Sequence, residues 1–272
     1  MKSQKLFLLL AALTLAGCSE KVSVAPTPTE NPITVPVLNM EMMPIPAGTF
    51  VMGSPDDEKG RDVFGNEGPQ TTVTITKPFW LGKTEVTQSQ WKVVMGNDLS
   101  SFKGDDLPVE QVSWDDAVSF CEKLNELKHD MLPAGYHYTL PTEAQWEYAC
   151  RAGTTTRFCY GDDDNQLGQY AWYDDKSSSK TRSVGEKLPN GWGLHDMHGN
   201  VWEWCLDCYG DYAGGSVSDP QAPQSGTERV VRGGACRIGA WGCRSAYRSG
   251  LRPDDSYGSL GFRVALSPVP SE

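Results

Sequence analysis

Apolar and polar residues alternate in short runs along most of this chain, and only three stretches carry a helical period. Residues 41–53, containing MMPIPAGTFVMG, alternate as a strand broken by a turn at Ala47-Gly48. Residues 53–70 are polar and rich in Gly and Asp, the pattern of a loop. Residues 71–80 (TTVTITKPFW) have strong β character. Three capping boxes then predict short helices. Thr87-Gln88-Ser89-Gln90 opens the first, which carries Trp91, Val94 and Met95 and stops at Gly96. Ser113-Trp114-Asp115-Asp116 opens the second, where Trp114, Ala117, Val118, Cys121 and Leu124 share one face at spacings of three and four. Thr142-Glu143-Ala144-Gln145 opens the third, which carries Trp146 and Ala149 and stops near Gly153. Residues 154–200 read as loop, and short β-like runs follow at 201–204, 229–232 and 261–265. Few short helices, short strands and long loops predict an α+β fold with much irregular structure.

The N-terminus changes the picture of where this fold works. Lys2 and Lys5 precede an apolar run over 6–15, too short for a stable transmembrane helix. Leu15-Ala16-Gly17-Cys18 then places small residues before a cysteine. This predicts a lipoprotein signal peptide over 1–17, cleaved before Cys18, with lipid on that thiol; an ordinary signal peptide with a chance cysteine is the alternative. Ser19, where an Asp would point to inner-membrane retention, favours the outer membrane or cell surface. Residues 18–40 hold Pro26, Pro28, Pro32 and Pro36 and read as an extended spacer. One large domain over 41–267 and a tail over 268–272 complete the organisation.

Formal charge is −11, which argues against nucleic acid and anionic membrane surfaces as partners. Nine Trp and ten Tyr fit a loop-rich fold pinned by aromatics. Of eight cysteines, seven remain once Cys18 is used, so an exported chain keeps at least one free thiol. Cys205 and Cys208 lack the second pair a zinc site needs and the helix start a redox motif needs, and read as structural. His195 and His198 flank Asp196 but lack a third ligand, and read as surface histidines.

The phrases MMPIPAGTFVMGS, LGKTEVTQSQW, PVEQVSWDDAVSFC, LPTEAQWEYACRAGT, PNGWGLHDMHGNVWEW, RVVRGG and GFRVA together resemble the formylglycine-generating-enzyme, or sulfatase-modifying-factor, family over about residues 41–266. The resemblance implies a loop-rich variant of the C-type lectin fold. It also implies a structural calcium ion held by the Asp196 side chain, the Gly199 and Val201 carbonyls and Glu203, an oxygen set suited to that ion; Glu203 in a buried salt bridge is the alternative. The family enzymes oxidise a sulfatase cysteine with copper held by a Cys-x-x-x-x-Cys pair after Arg-Gly-Gly-Ser. Here Ala235 replaces the serine, and Cys236 and Cys243 are separated by six residues rather than four, so no copper and no catalysis are expected. Cys243 lies near a family cysteine that bridges to the third helix, which implies a Cys150–Cys243 disulfide.

A subgroup of this fold resembles the chain more closely: the variable proteins of diversity-generating retroelements, some of them surface lipoproteins such as those of treponemes. Their C-terminal segments are rewritten by adenine-directed mutagenesis, mostly at Asn codons, while a scaffold stays fixed. Residues 201–272 contain no Asn. By this resemblance the variable segment spans about 232–263. Its ligand-contact positions are Cys236, Arg237, Ile238, Gly239, Tyr247, Ser249, Leu251, Arg252, Asp255, Ser256, Tyr257 and Ser259, joined by Trp241, which no Asn codon yields and which is scaffold. Tyr, Trp and Arg among small residues suit a recognition surface. The expectation is a non-catalytic surface protein whose extracellular ligand is a protein rather than a sugar; an enzyme using the same cleft is the rival.

Overall fold

The computed structural model describes residues 31–127, 132–221 and 225–269. The signal peptide, Cys18, most of the spacer and residues 270–272 lie outside them. In chain order the strands and helices are β1 (Ile33–Val35), β2 (Met40–Ile45), β3 (Gly48–Met52), β4 (Thr71–Ile75), β5 (Phe79–Gly82), α1 (Gln88–Met95), α2 (Trp114–Glu126), β6 (Tyr136–Thr139) and α3 (Glu143–Arg151). There follow α4 (Leu167–Tyr170), α5 (Asp174–Ser177), β7 (Trp202–Cys208), β8 (Gly215–Ser218), β9 (Arg229–Arg232), β10 (Arg248–Leu251), β11 (Leu260–Gly261) and β12 (Ala265–Pro268). The α+β expectation holds. None of the described helices is long and apolar enough to cross a membrane.

All three capping boxes form: Thr87, Ser113 and Thr142 each accept from the backbone three residues on, and Gln90, Asp116 and Gln145 reach back. Each box satisfies two helix-terminal N–H groups, so the helices start where the sequence places them. The predicted run at 71–80 divides into β4 and β5, because Pro78 cannot donate to a ladder. The run at 41–53 likewise divides at Pro46-Ala47 into strands of two different sheets. The spacer ends sooner than expected, since Ile33–Val35 pairs with Met40–Met42 and the folded part begins before residue 41.

The sheets run β1-β2-β5-β12-β6, β10-β9-β7-β11 and β3-β4-β8. One core, with Trp91 stacked on Phe120 at 5.7 Å and Phe262 against both, lies among α1, α2, the first sheet and one face of the second. A second core holds Trp146, Tyr148 and Ala149 of α3 against β3, β4 and β5. The other face of the second sheet is charged. Glu203, Arg232 and Arg248 are cross-strand neighbours there, and α3 lays Glu143 and Glu147, one turn apart, over the two arginines. Arg151 completes the row on Glu147 at 2.8 Å. These ions are buried, and mutual pairing offsets their desolvation.

Candidate binding face

The C-terminal segment leaves β9 through Gly233 and Gly234. Gly234 has φ +73, and a Cβ there would stand 2.7 Å from the Cys243 sulfur, so glycine lets the segment fold back against itself. Four buried arginines then fix it. Arg232 donates to Glu147 and to the Ala246 and Tyr247 carbonyls. Arg244 meets Glu67 at 2.5 Å and 2.8 Å and Glu58 at 2.5 Å. Arg248 grips both oxygens of Glu143 at 2.6 Å and 2.7 Å. Arg263 grips both oxygens of Glu203 at 2.6 Å.

Between these anchors the expected contact residues divide. Tyr247 packs between Trp241, edge-on at 5.2 Å, and Trp202 at 5.8 Å, and Trp241 is 51% exposed. Arg237 is exposed; its Nε donates to the Ser179 carbonyl and its guanidinium lies 5.8 Å from the Phe102 ring. Ile238 and Gly239 lie half-buried beside it. Arg252 pairs with Asp255 at 2.9 Å, and Ser256 and Tyr257 are exposed. The two halves join through neighbours: the Tyr257 carbonyl accepts from Gln111 and the Ser259 carbonyl from Trp202. Contacts thus link Arg237 to Phe102, Gln111 to Tyr257, and Trp202 through Tyr247 to Trp241. Phe102 and Gln111 were not legible as neighbours of the segment, because only tertiary contacts bring them there.

Several expectations need correction. Cys236 is fully buried, so it is no contact residue. Ser249 pairs with Val231 in the sheet and Leu251 packs on the core. Their side chains share the Val231 and Trp204 face of that sheet, which covers the core. Every cysteine among the described residues is free, and the Cys150–Cys243 bridge is not formed. Cys150 Sγ contacts the Met197 carbonyl and Ser245 Oγ, each at 3.7 Å, while Cys243 Sγ faces the Ile238 carbonyl at 3.9 Å. His198 is buried, not a surface residue. Its ring is fixed between the Cys243 carbonyl, 2.9 Å, and the Cys159 N–H, 3.1 Å, and burial pushes it down to about 4.

Burial also pushes the Cys236 and Cys243 thiols up, to about 11 and about 12. Both therefore sit as protonated thiols at neutral pH.

Of the expected calcium ligands, Glu203 is committed to Arg263 and to Trp146 Nε1 at 2.7 Å, the salt-bridge alternative. Asp196 accepts from Gly185 N through one oxygen, 2.7 Å, and its other oxygen is buried without a partner. Burial, with Glu203 and Glu186 nearby, outweighs the Gly185 hydrogen bond and Arg263 and pushes Asp196 up to about 6. Burial, then Asp196 and Glu203, raises Glu85 as well. Three buried carboxylates thus share one guanidinium. One Asp196 oxygen stays unpartnered, while Glu203 is held by Arg263 and Glu85 accepts from the Asn200 amide at 3.1 Å and from Val201 N at 3.3 Å.

A cavity of about 350 Å³ lined by Ile75, His137, Leu140, Gln145, Leu206 and Pro268 shares no residue with the C-terminal segment. It plays no part in the face.

Few short helices and many strands in curled, loop-joined sheets make this a C-type-lectin-like fold of the formylglycine-generating-enzyme type. The chain belongs to the sulfatase-modifying factor enzyme 1-like domain family, which matches residues 28–268. It is similar to Treponema denticola variable protein 1, with a TM-score of 0.78 and 32% identity over 89% of this chain and 100% of that one. PvdO from Pseudomonas aeruginosa superposes with a TM-score of 0.76 at 28% identity, over 87% of this chain and 98% of that one. The formylglycine-generating enzyme of Mus musculus is 29% identical over 87% of this chain and 77% of its own length.

Proposed function

We propose that this is an exported, lipid-anchored protein that binds an extracellular protein ligand through its C-terminal segment without catalysis. The observation that carries the reading is the division of that segment. Arg232, Arg244, Arg248 and Arg263 are buried on carboxylates, while Arg237, Trp241, Arg252 and Tyr257 are exposed. A fixed frame under adaptable outward positions is what a diversified binding segment requires. The similarity to the treponemal variable protein supports it. Sequencing the same locus in sister isolates tests it: changes confined to the outward positions are expected, and an unchanged segment overturns the diversification.

A second reading, an oxidase acting on cysteine, draws on the likeness to the mouse enzyme. Against it stand Ala235 and the six residues between Cys236 and Cys243. Loading the protein with Cu(I) and offering a cysteine-containing peptide is expected to leave the peptide unoxidised. Calcium belongs to the proposal through Asp196, the Gly199 and Val201 carbonyls and Glu203, which would have to turn from Arg263 toward the ion. Titration calorimetry with calcium chloride is expected to show binding that Asp196→Asn abolishes; absence of heat in the parent protein removes the ion from the account.

A further inference from the structure

Val63 and Phe64 are the most exposed of the large apolar side chains among the described residues, at 90% and 84%. Burying either gains free energy, so two in succession held out in water ask for an occupant. Their loop is rigidly built. Asp62 accepts from Phe64 N at 3.1 Å through Oδ1 and from the Asn66 amide at 2.6 Å through Oδ2, and its carbonyl accepts from Gly65 N at 3.1 Å. Glu67, just beyond, is locked to Arg244, and the Asn66 carbonyl accepts from Arg248 at 3.2 Å. Before the tip, Gly60 lies so close to Trp241 that a Cβ there would stand 3.6 Å from the Trp241 Cβ. Both ends of the loop are thus fastened to the C-terminal segment, and the tip stands at the margin of the aromatic face.

We propose that Val63-Phe64 is a fixed apolar finger that enters a pocket on the same protein partner that the C-terminal segment contacts. This rests on the binding reading above. A membrane is the less suitable occupant: around the tip Asp56, Asp57, Glu58, Asp62 and Glu67 outnumber Lys59 and Arg61, and the chain carries −11, so an anionic bilayer surface repels it. The partner's pocket is apolar with a basic rim. A constant finger beside diversified positions lets every variant share one anchoring contact while the segment sets specificity.

The test places a photo-crosslinking phenylalanine analogue at position 64, or separately at 241, in the full chain on intact cells. The expected result is that both positions crosslink the same protein, and that Val63→Ser with Phe64→Ser weakens binding of that purified protein at least tenfold with an unchanged thermal midpoint. A crosslink from 241 without one from 64 overturns the finger and leaves the binding face standing. Crosslinks from neither position overturn both. A crosslink from 64 to lipid or to a second copy of the chain overturns the protein partner, as does binding of the parent protein, lost in the double variant, to vesicles of phosphatidylethanolamine and phosphatidylglycerol.

Discussion

Arg244 and Glu67 form a fully buried two-point ion pair, 2.5 Å and 2.8 Å, across 177 residues of chain. Arg244 lies in the C-terminal segment, and Glu67 closes the loop that carries the apolar finger. One pair therefore fixes the relative position of both. Ser54 Oγ, 2.6 Å from Glu67, and Glu58 on the same guanidinium close the arrangement. Removing Glu67 takes the two-point partner from a fully buried Arg244 and leaves it Glu58 alone. Glu67→Gln is expected to cost about 3 kcal/mol or more, read from urea unfolding. Glu67→Leu with Arg244→Met removes both charges of the pair, leaves only Glu58 facing the site, and should cost less than the sum of its two single changes. A double variant as unstable as the sum of its singles would show that the pair carries no coupling.

Acid should release the same anchor. Burial by itself raises Glu67, but the hydrogen bond and charge of Arg244, aided by Ser54 and the Asp62 N–H, bring it below its ordinary 4.5. Glu143 is likewise raised by burial and brought below 4.5 by Arg248 and Arg232. A carboxylate whose folded value is depressed stabilises the fold fully above its unfolded value. That contribution is lost as pH falls through the folded value. Stability is therefore expected to fall steadily below pH 4.5. In Glu67→Gln that fall should be shallower, since one linked proton is gone. Equal slopes for the two proteins in urea midpoints from pH 5 to pH 3 would refute the assignment.

The division between frame and face can be measured directly. Exposed positions 237, 241, 252, 256 and 257 should accept most residues at costs within about 0.5 kcal/mol, because they rest on solvent. Position 236 should not. Its side chain is fully enclosed and its carbonyl accepts from Ser177 Oγ, so a larger group forces strain of about 1–3 kcal/mol. Single-site libraries scored by protease resistance should retain most variants at the first five positions and mainly small residues at 236. A tolerant position 236 would return it to the contact set.

The helices were legible because capping and hydrophobic period act within a few residues, as Thr87-Gln90, Ser113-Asp116 and Thr142-Gln145 illustrate. The strands β8 and β10 were not. Gly-Ser-Val-Ser and Arg-Ser-Gly-Leu lack alternation, and they are strands only because β4 and β9 present free edges to them. The same limit applies to the face. Trp241 and Tyr247 could be picked out by residue type, but the burial of Cys236 and the contribution of Phe102 depend on which loop folds over the segment. His198 was misplaced for that reason: two histidines beside an aspartate read as a turn, while its ring is enclosed by residues 159 and 243.

The thiols supply a last test, and it concerns the compartment as well as the fold. Cys121, Cys150, Cys205, Cys236 and Cys243 are buried, and burial raises each of them. A buried, protonated thiol reacts slowly with alkylating agents, because the thiolate is the nucleophile. Native protein incubated with iodoacetamide at pH 7.5 is therefore expected to take label slowly at all five. Unfolding in urea without reductant should make all of them reactive, Cys150 and Cys243 included, since neither is bridged. A pair that stays unlabelled until reductant is added would mark a disulfide formed after export. If that pair were Cys150 and Cys243, His198 would have to leave its place between Cys159 and the Cys243 carbonyl, and the packing beneath Trp241 would differ from the one described.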